Sequence, residues 1–263
     1  MHATFRQLEV FVQVARHLSF ARAAEALHLT QPAVSMQVKE LESAVGLPLF
    51  DRNGRHIALT TPGEYFLVHA RRMLSALKDA ADAMARMKGV ESGRLTIGIV
   101  STGKYFVPRL LAAFRREHPA VELRLEVGNR QALVNQLQNN EVDLAIMGTP
   151  PRELDTRAEP FAANPLVMIA SPAHRLAQLP HVPTGLLSGE VFLVREQGSG
   201  TRASMEIFLR ERHIHPQSLV EMPSNETIKQ AVMADMGISF LSLHTMALER
   251  SAGVIKVLEV EGL

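Results

Sequence analysis

SFARAAEALHLTQPAVSMQVKELE, residues Ser19–Glu42, reads as two short helices with a tight break at His28-Leu29. Ser19 and Thr30 each stand just ahead of a helical run, where a hydroxyl accepts a hydrogen bond from an orphan backbone N–H of the first turn. Pro32 falls in the first turn of the second helix, where its missing N–H costs little. In that helix Val34, Val38, Leu41 and Val45 recur at helical spacing and face inward, leaving Gln31, Ser35, Met36 and Lys39 outside. A face of small polar groups with one cation suits a helix that hydrogen-bonds base edges in a major groove. The alternative is an ordinary helical hairpin.

Working outward, Thr4 with Gln7 forms a capping-box pattern, and Phe5, Leu8, Phe11, Val14, Ala15 and Leu18 make the apolar stripe of a preceding helix. On the other side Gly46 closes the hairpin's second helix as a left-handed cap. The chain continues as LPLFDRNGRHIALT, where Asn53-Gly54 between apolar pairs predicts a two-residue β-turn. This makes a wing, with Arg52 and Arg55 placed to reach a phosphate or a minor groove, simple solvation being the alternative. Thr61-Pro62-Gly63-Glu64 then opens a long helix with cap, proline and carboxylate in sequence. Along it Phe66, Ala70, Met73, Leu77, Ala80, Met84 and Met87 form a heptad seam, which predicts pairing with another helix; packing on the protein's own first domain is the alternative. Gly89 and Ser92-Gly93 mark a boundary.

From Arg94 strands alternate with helices: LTIGIV, a helix through Phe106 and Phe114, VELRLEVG, a helix around Leu133 and Leu137, and DLAIMG. A second α/β unit starts near Pro165, with PLVMIAS, VFLVRE, a helix from Thr201 to Arg212, VEMPS, a helix from Ile228 to Met236, GISFLSL and VIKVLEV. Two such units in series predict two lobes, with ligands at the carboxyl ends of mostly parallel strands. Four polar strand-to-helix junctions lie at such ends: Ser101-Thr102-Gly103-Lys104, Thr149, Gly198-Ser199-Gly200-Thr201-Arg202 and Ser224-Asn225-Glu226-Thr227. Hydroxyls and free N–H groups at helix starts favour a small anion, although each could simply cap its helix.

Composition narrows the classes. The 263 residues suffice for more than one domain at about 100–200 residues each. The absence of cysteine excludes disulfides, thiolate catalysis and zinc-thiolate sites. With no signal-peptide pattern and no run of roughly 18 apolar residues, a cytoplasmic, non-membrane protein is expected. The net charge is +1, and residues 1–62 hold six Lys/Arg against five Asp/Glu, so any DNA contact depends on placement of a few cations. GIVSTGK, residues 98–104, is one residue short of a P-loop, and Tyr105 replaces the Mg²⁺-binding hydroxyl. Ser101 to Lys104 also fits S-x-x-K without its companion motifs, and the histidines show no metal-ligand spacing. No catalytic residue, metal site or resident cofactor is expected.

The run FRQLEVFVQVARHLSFARAAEALHLTQPAVSMQVKELESAVGLPLFDRNGRHIALTTPG resembles the N-terminal domain of LysR-type transcriptional regulators. The α/β remainder is similar to that family's effector-binding domain, itself like periplasmic binding proteins. TGKYFVPRLLAAF, VGNRQALVNQL, DLAIMGTPP, REQGSGTRA, SNETIKQAVMADMGISFLSLHT and VLEVEGL most resemble regulators of carbon-fixation (Calvin cycle) operons. The resemblance implies an α/β protein with a winged helix-turn-helix over residues 1–61, a linker helix over 62–92 and an effector domain over 93–263, split into lobes 93–163 and 164–263. It implies promoter DNA and RNA polymerase as partners, a homodimer through the linker helix, and a homotetramer. DNA contacts are expected from Ser19, Arg22, Thr30, Gln31, Pro32, Ser35, Met36, Lys39, Arg52 and Arg55. Effector contacts are expected from Ser101, Thr102, Gly103, Lys104, Thr149, Gly200, Thr201, Arg202 and Asn225, with phosphorylated or carboxylated metabolites and NADPH as the implied ligands. Family members cross back from lobe two to lobe one and add a strand and a helix, whereas this chain stops at Leu263; lobe one is therefore expected to expose apolar surface. A solute-binding module dimerised by its helical front end is the competing reading.

Overall fold

The computed structural model describes residues 2–51, 57–87, 92–152 and 154–263. They form two compact units, residues 1–93 with 138–141, and residues 94–137 with 142–263. In the first unit α1 (Phe5–His17) starts at the Thr4 capping box, in which Thr4 Oγ1 accepts from the Gln7 N–H at 3.2 Å and Gln7 Oε1 accepts from the Thr4 N–H at 2.9 Å. The hairpin follows as α2 (Phe20–Leu27) and α3 (Gln31–Val45), broken at His28 with φ 54° and closed at Gly46 with φ 80°. Ser19 Oγ and Thr30 Oγ1 accept from the N–H groups of Arg22 and Ala33. Leu8, Phe11 and Val14 of α1 meet Phe20 and Ala23 of α2 and Val34, Val38 and Leu41 of α3 in one core. Phe5 and Leu18, expected in the α1 stripe, are about half exposed instead, and Val10 takes the buried place. Leu18 is the left-handed C-cap, so its side chain leaves the helical row; Phe5 occupies the helix's first position.

Glu42 Oε1 accepts from the N–H groups of Leu49 and Phe50 at 2.9 and 3.1 Å, which anchors the start of β1 (Phe50–Asp51). Its antiparallel partner is β2 (Ala58–Leu59), with Phe50 opposite Leu59. The wing turn, with Arg52, Asn53, Gly54 and Arg55, lies outside the described residues. The long helix α4 (Thr61–Met87) follows. Its cap is Thr60 and not Thr61: Thr60 Oγ1 accepts from the Gly63 N–H at 3.0 Å and donates to the Pro48 carbonyl at 2.7 Å. The expected seam divides in two, because Phe66 and Ala70 pack into the first unit's core, whereas Met73, Leu77 and Met84 stay exposed.

The second unit has two lobes. Lobe one holds β3 (Gly93–Val100), α5 (Val107–Glu117), β4 (Val121–Gly128), α6 (Arg130–Gln138) and β5 (Leu144–Ile146), with strand order β4-β3-β5. β3 and β5 run parallel, and Asp143 Oδ2 accepts the Thr96 N–H at 2.7 Å where their pairing begins. Leu125, Val127 and Leu144 are exposed on this lobe. Lobe two comprises β6 (Leu166–Ala170), β7 (Val191–Val194), α7 (Gly200–Glu211), β8 (Ser218–Glu221), α8 (Asn225–Met233), β9 (Ile238–Ser242), α9 (Ala247–Ser251) and β10 (Lys256–Leu258). Its sheet runs β10-β6-β9-β7-β8, parallel between β7 and its two neighbours and antiparallel on both sides of β6. Successive residues of each strand feed opposite faces: Met168, Phe192 and Phe240 join one core, Ile169, Leu193 and Leu241 the other. Both faces are thus covered, which explains why these strands read as unbroken apolar runs.

Candidate functional sites

In the first unit the hairpin presents a coherent outer face. Arg22, Thr30, Gln31, Pro32, Met36 and Lys39 are exposed, and Ser19 and Ser35 partly so, while Val34, Val38 and Leu41 hold α3 onto the core from behind. Such a helix offers hydroxyl, amide, thioether and ammonium groups on a rigid support, which is what reading base edges requires. Arg52 and Arg55 lie outside the described residues.

In the second unit a cleft opens between the lobes at the carboxyl ends of strands. Lobe one contributes Ser101 and Thr102 after β3, Asn129 and Arg130 at the start of α6, and Gly148 and Thr149 after β5. Lobe two contributes Asn164, Arg195 at the end of β7, and Ser199, Gly200, Thr201 and Ser204 around the start of α7. Ser199 is buried at the N-cap of α7, yet its side chain makes no capping bond, so its hydroxyl is not committed to the helix. Ser224, by contrast, does cap α8 by accepting the Glu226 N–H at 3.2 Å, the purely structural role weighed for all four junctions.

Four of the expected effector residues sit elsewhere. Gly103 is buried in the short 3₁₀ turn Ser101–Tyr105, where an added Cβ would lie 3.1 Å from Ile99 Cβ. Lys104 is exposed and outside the cleft lining. Arg202 bonds Glu206 at 2.8 Å, Glu221, and the Arg195 carbonyl at 3.0 Å; the Glu206 bond, aided by Glu221, raises its pKa against burial. Asn225 is buried behind Arg195, whose Nη1 donates to Asn225 Oδ1 at 2.6 Å. The sequence reading missed Arg130 and Arg195, the two cations of the lining. Arg130 donates to the carbonyls of Thr149 and Pro150 at 3.2 and 3.4 Å and has no carboxylate partner among the described residues. Each follows the end of a strand, and that position was the available signal.

The lobes touch on either side of the cleft. The Gln131 N–H donates to the Gly198 carbonyl at 3.2 Å; Gly198 has φ 81°, and a Cβ there would lie 3.0 Å from Gln131 Cβ, so glycine permits both the turn and the approach. On the other side Tyr105 Oη donates to Glu226 Oε1, and Lys229 Nζ lies 5.1 Å from the centre of the Tyr105 ring. Burial first, and Glu226 second, push the Tyr105 phenol well above its ordinary value. Burial opposes the Glu226 charge, but Tyr105 and Lys229 outweigh it and hold that carboxyl below its ordinary value.

This architecture can be compared with known proteins. Residues 5–64 match a family model described as "Bacterial regulatory helix-turn-helix protein, lysR family", and residues 88–263 match "LysR substrate binding domain". The HTH-type transcriptional regulator CfxR of Cupriavidus necator is 54% identical over 259 residues, 98% of this chain and 82% of its own length. The RuBisCO operon transcriptional regulator of Allochromatium vinosum is 46% identical over 262 residues, 100% of this chain and 87% of its own. Among solved structures, the regulatory domain of CcmR from Synechocystis PCC6803 in complex with 2-PG superposes with a TM-score of 0.62 at 40% identity, covering 65% of this chain and 82% of that one. With a helix-turn-helix carrying an exposed polar face and a two-lobed domain with a polar cleft, the chain belongs to the LysR family of transcriptional regulators.

Proposed function

We propose that this regulator controls a carbon-fixation operon in response to a small anionic metabolite, phosphorylated or carboxylated, bound in the interlobe cleft. Two copies pair through the exposed part of α4, two pairs form a tetramer on promoter DNA, and ligand binding changes the spacing of the recognition helices and hence access of RNA polymerase. The observation that carries the reading is the convergence of Arg130 and Arg195 with the start of α7 on one polar cleft. Its likeness to a RuBisCO operon regulator and to the 2-PG complex of CcmR supports the operon and the ligand class. NADPH, whose phosphates present the same chemistry, is the second ligand class.

The ligand half is tested by thermal shift of the full chain with 2-PG, inorganic phosphate and NADPH, since a ligand of the folded state raises the melting temperature by mass action. Arg130→Met should abolish the shift, and an unchanged shift in that variant would remove the anion assignment. For the DNA half, Ser35→Ala and Lys39→Ala should each weaken promoter binding in a gel shift at fixed salt by about tenfold. Retention of full affinity by both would sink the recognition-helix assignment.

A further inference from the structure

Arg195 poses a question of charge. Its side chain is 4% exposed, the setting in which a guanidinium binds an anion most strongly, yet it is already paired. Nε donates to Glu196 Oε2 at 2.8 Å and Nη2 to Glu196 Oε1 at 2.9 Å, a bidentate fork. Nη2 also donates to Ser101 Oγ at 3.3 Å, and Nη1 to Asn225 Oδ1 at 2.6 Å. Of the five N–H donors of a guanidinium, four are therefore occupied, and one on Nη1 has no partner among the described residues. Because arginine can only donate, the Asn225 amide must turn its oxygen toward Nη1; its Nδ2 is buried and has no partner among the described residues. The Nε/Nη2 fork is thus filled by the chain's own carboxylate, while one N–H of Nη1 and the Asn225 Nδ2 amino group stay idle on the other side of the guanidinium.

Glu196 is the residue next to Arg195, and its side chain is 20% exposed, so rotation alone can carry its carboxylate from the fork toward water. Burial acts against its charge, while Arg195 and then Asn129 favour it, leaving the carboxyl below its ordinary value. It is therefore an anion bound to Arg195, a residue of the cleft lining.

We propose that the Glu196 carboxylate is an internal stand-in for the ligand's anionic group, that effectors bind by displacing it from the Arg195 fork, and that it thereby selects phosphate esters over monocarboxylates. This rests on the cleft being an anion site. Exchange of one carboxylate for another leaves the fork's bonds unchanged in kind while association still loses translational freedom, so a monocarboxylate gains nothing. A phosphate group brings about −1.5 to −2 charge and three acceptor oxygens, so it holds the fork with more charge than the carboxylate it replaces. Glu196 is then a specificity-determining residue whose effect on affinity is negative.

The test is calorimetric titration of the wild-type chain, Glu196→Gln and Glu196→Ala with 2-PG, inorganic phosphate and acetate. Loss of the internal competitor should tighten 2-PG by at least about tenfold and bring acetate into the measurable range, narrowing the preference for phosphate. Arg195→Lys added to Glu196→Gln should erase the gain. Equal or weaker 2-PG affinity in a folded Glu196 variant would overturn the proposal and make the carboxylate a support for Arg195. If no protein binds 2-PG, the assignment of that ligand fails separately, and inorganic phosphate decides: tighter binding in the variant upholds the displacement, equal or absent binding overturns it. Should Glu196→Gln fail to fold, Glu196→Ala is read by the same criteria; failure of both would show that the carboxylate is structural and overturn the proposal.

Discussion

Lys229 is 2% exposed and donates to the Thr245 carbonyl at 2.8 Å and to Glu249 at 2.6 Å, with Glu226 at 3.0 Å. Removing one partner of a buried pair leaves the other desolvated and alone, so Lys229→Met should destabilise the protein by about 3–5 kcal/mol. Lys229→Met with Glu249→Leu should recover much of that loss, a comparison made by urea denaturation of the full chain. Glu226 gives a pH signature. Its folded pKa lies below the ordinary carboxylate value, so its contribution is present above that value and is lost as pH falls through the lower folded one. The melting-temperature gap between wild type and Glu226→Gln should therefore be full at pH 6 and close on acidification below 4.5; a gap that widens there would refute the sign. None of these charges was legible as special in the sequence. Arg195 and Glu196 look like any charged pair after an apolar strand, and Lys229 like a solvated helix residue, because periodicity reports which positions are apolar and says nothing of a cation drawn inside by partners 16 and 20 residues away.

At the level of elements the sequence was far more informative. VELRLEVG is β4 residue for residue, and the hairpin's two caps and its Gly46 closure form as their local chemistry requires. The errors are instructive where two adjacent residues offer the same chemistry. Thr60 and Thr61 can both cap a helix, and Thr60 prevails because its hydroxyl also reaches the Pro48 carbonyl, a partner set by the fold. Thr60→Ala should therefore lower stability by about 1 kcal/mol. Thr61→Ala should be nearly neutral by scanning calorimetry. Gly63→Ala should be more damaging than either, since its Cβ would sit 2.0 Å from the Leu49 carbonyl oxygen, a backbone atom that cannot turn aside. Lobe two's mixed sheet is a different kind of miss. Strand order and direction depend on crossovers, and an apolar run such as PLVMIAS carries no mark of β6 lying antiparallel to both neighbours.

For the whole molecule, the decisive quantity is how weakly one recognition helix can bind alone. Residues 1–62 carry six cations against five anions, so phosphate attraction from a single head is small. In the proposed dimer, affinity comes from engaging two half-sites at once. The proposed pairing through α4 fits this: beyond Ala70 its seam turns from the core, leaving Leu77 43% and Met84 53% exposed, one heptad apart. Once one head is bound, the second faces its half-site at high effective concentration, which raises affinity by about 10²–10⁴ with no new contact. Leu77→Asp with Met84→Asp places like charges across that seam. Sedimentation should show the pair dissociating, gel-shift affinity for a two-half-site promoter should fall by about 10²–10⁴, and the slope of log affinity against log salt should drop to about half as one head's phosphate contacts are lost. Affinity for an isolated half-site should not change, because the seam lies on the far part of α4 from the hairpin's core. A variant that sediments as a dimer, or that keeps its two-site affinity as a monomer, would show that pairing and DNA binding are carried by other surfaces.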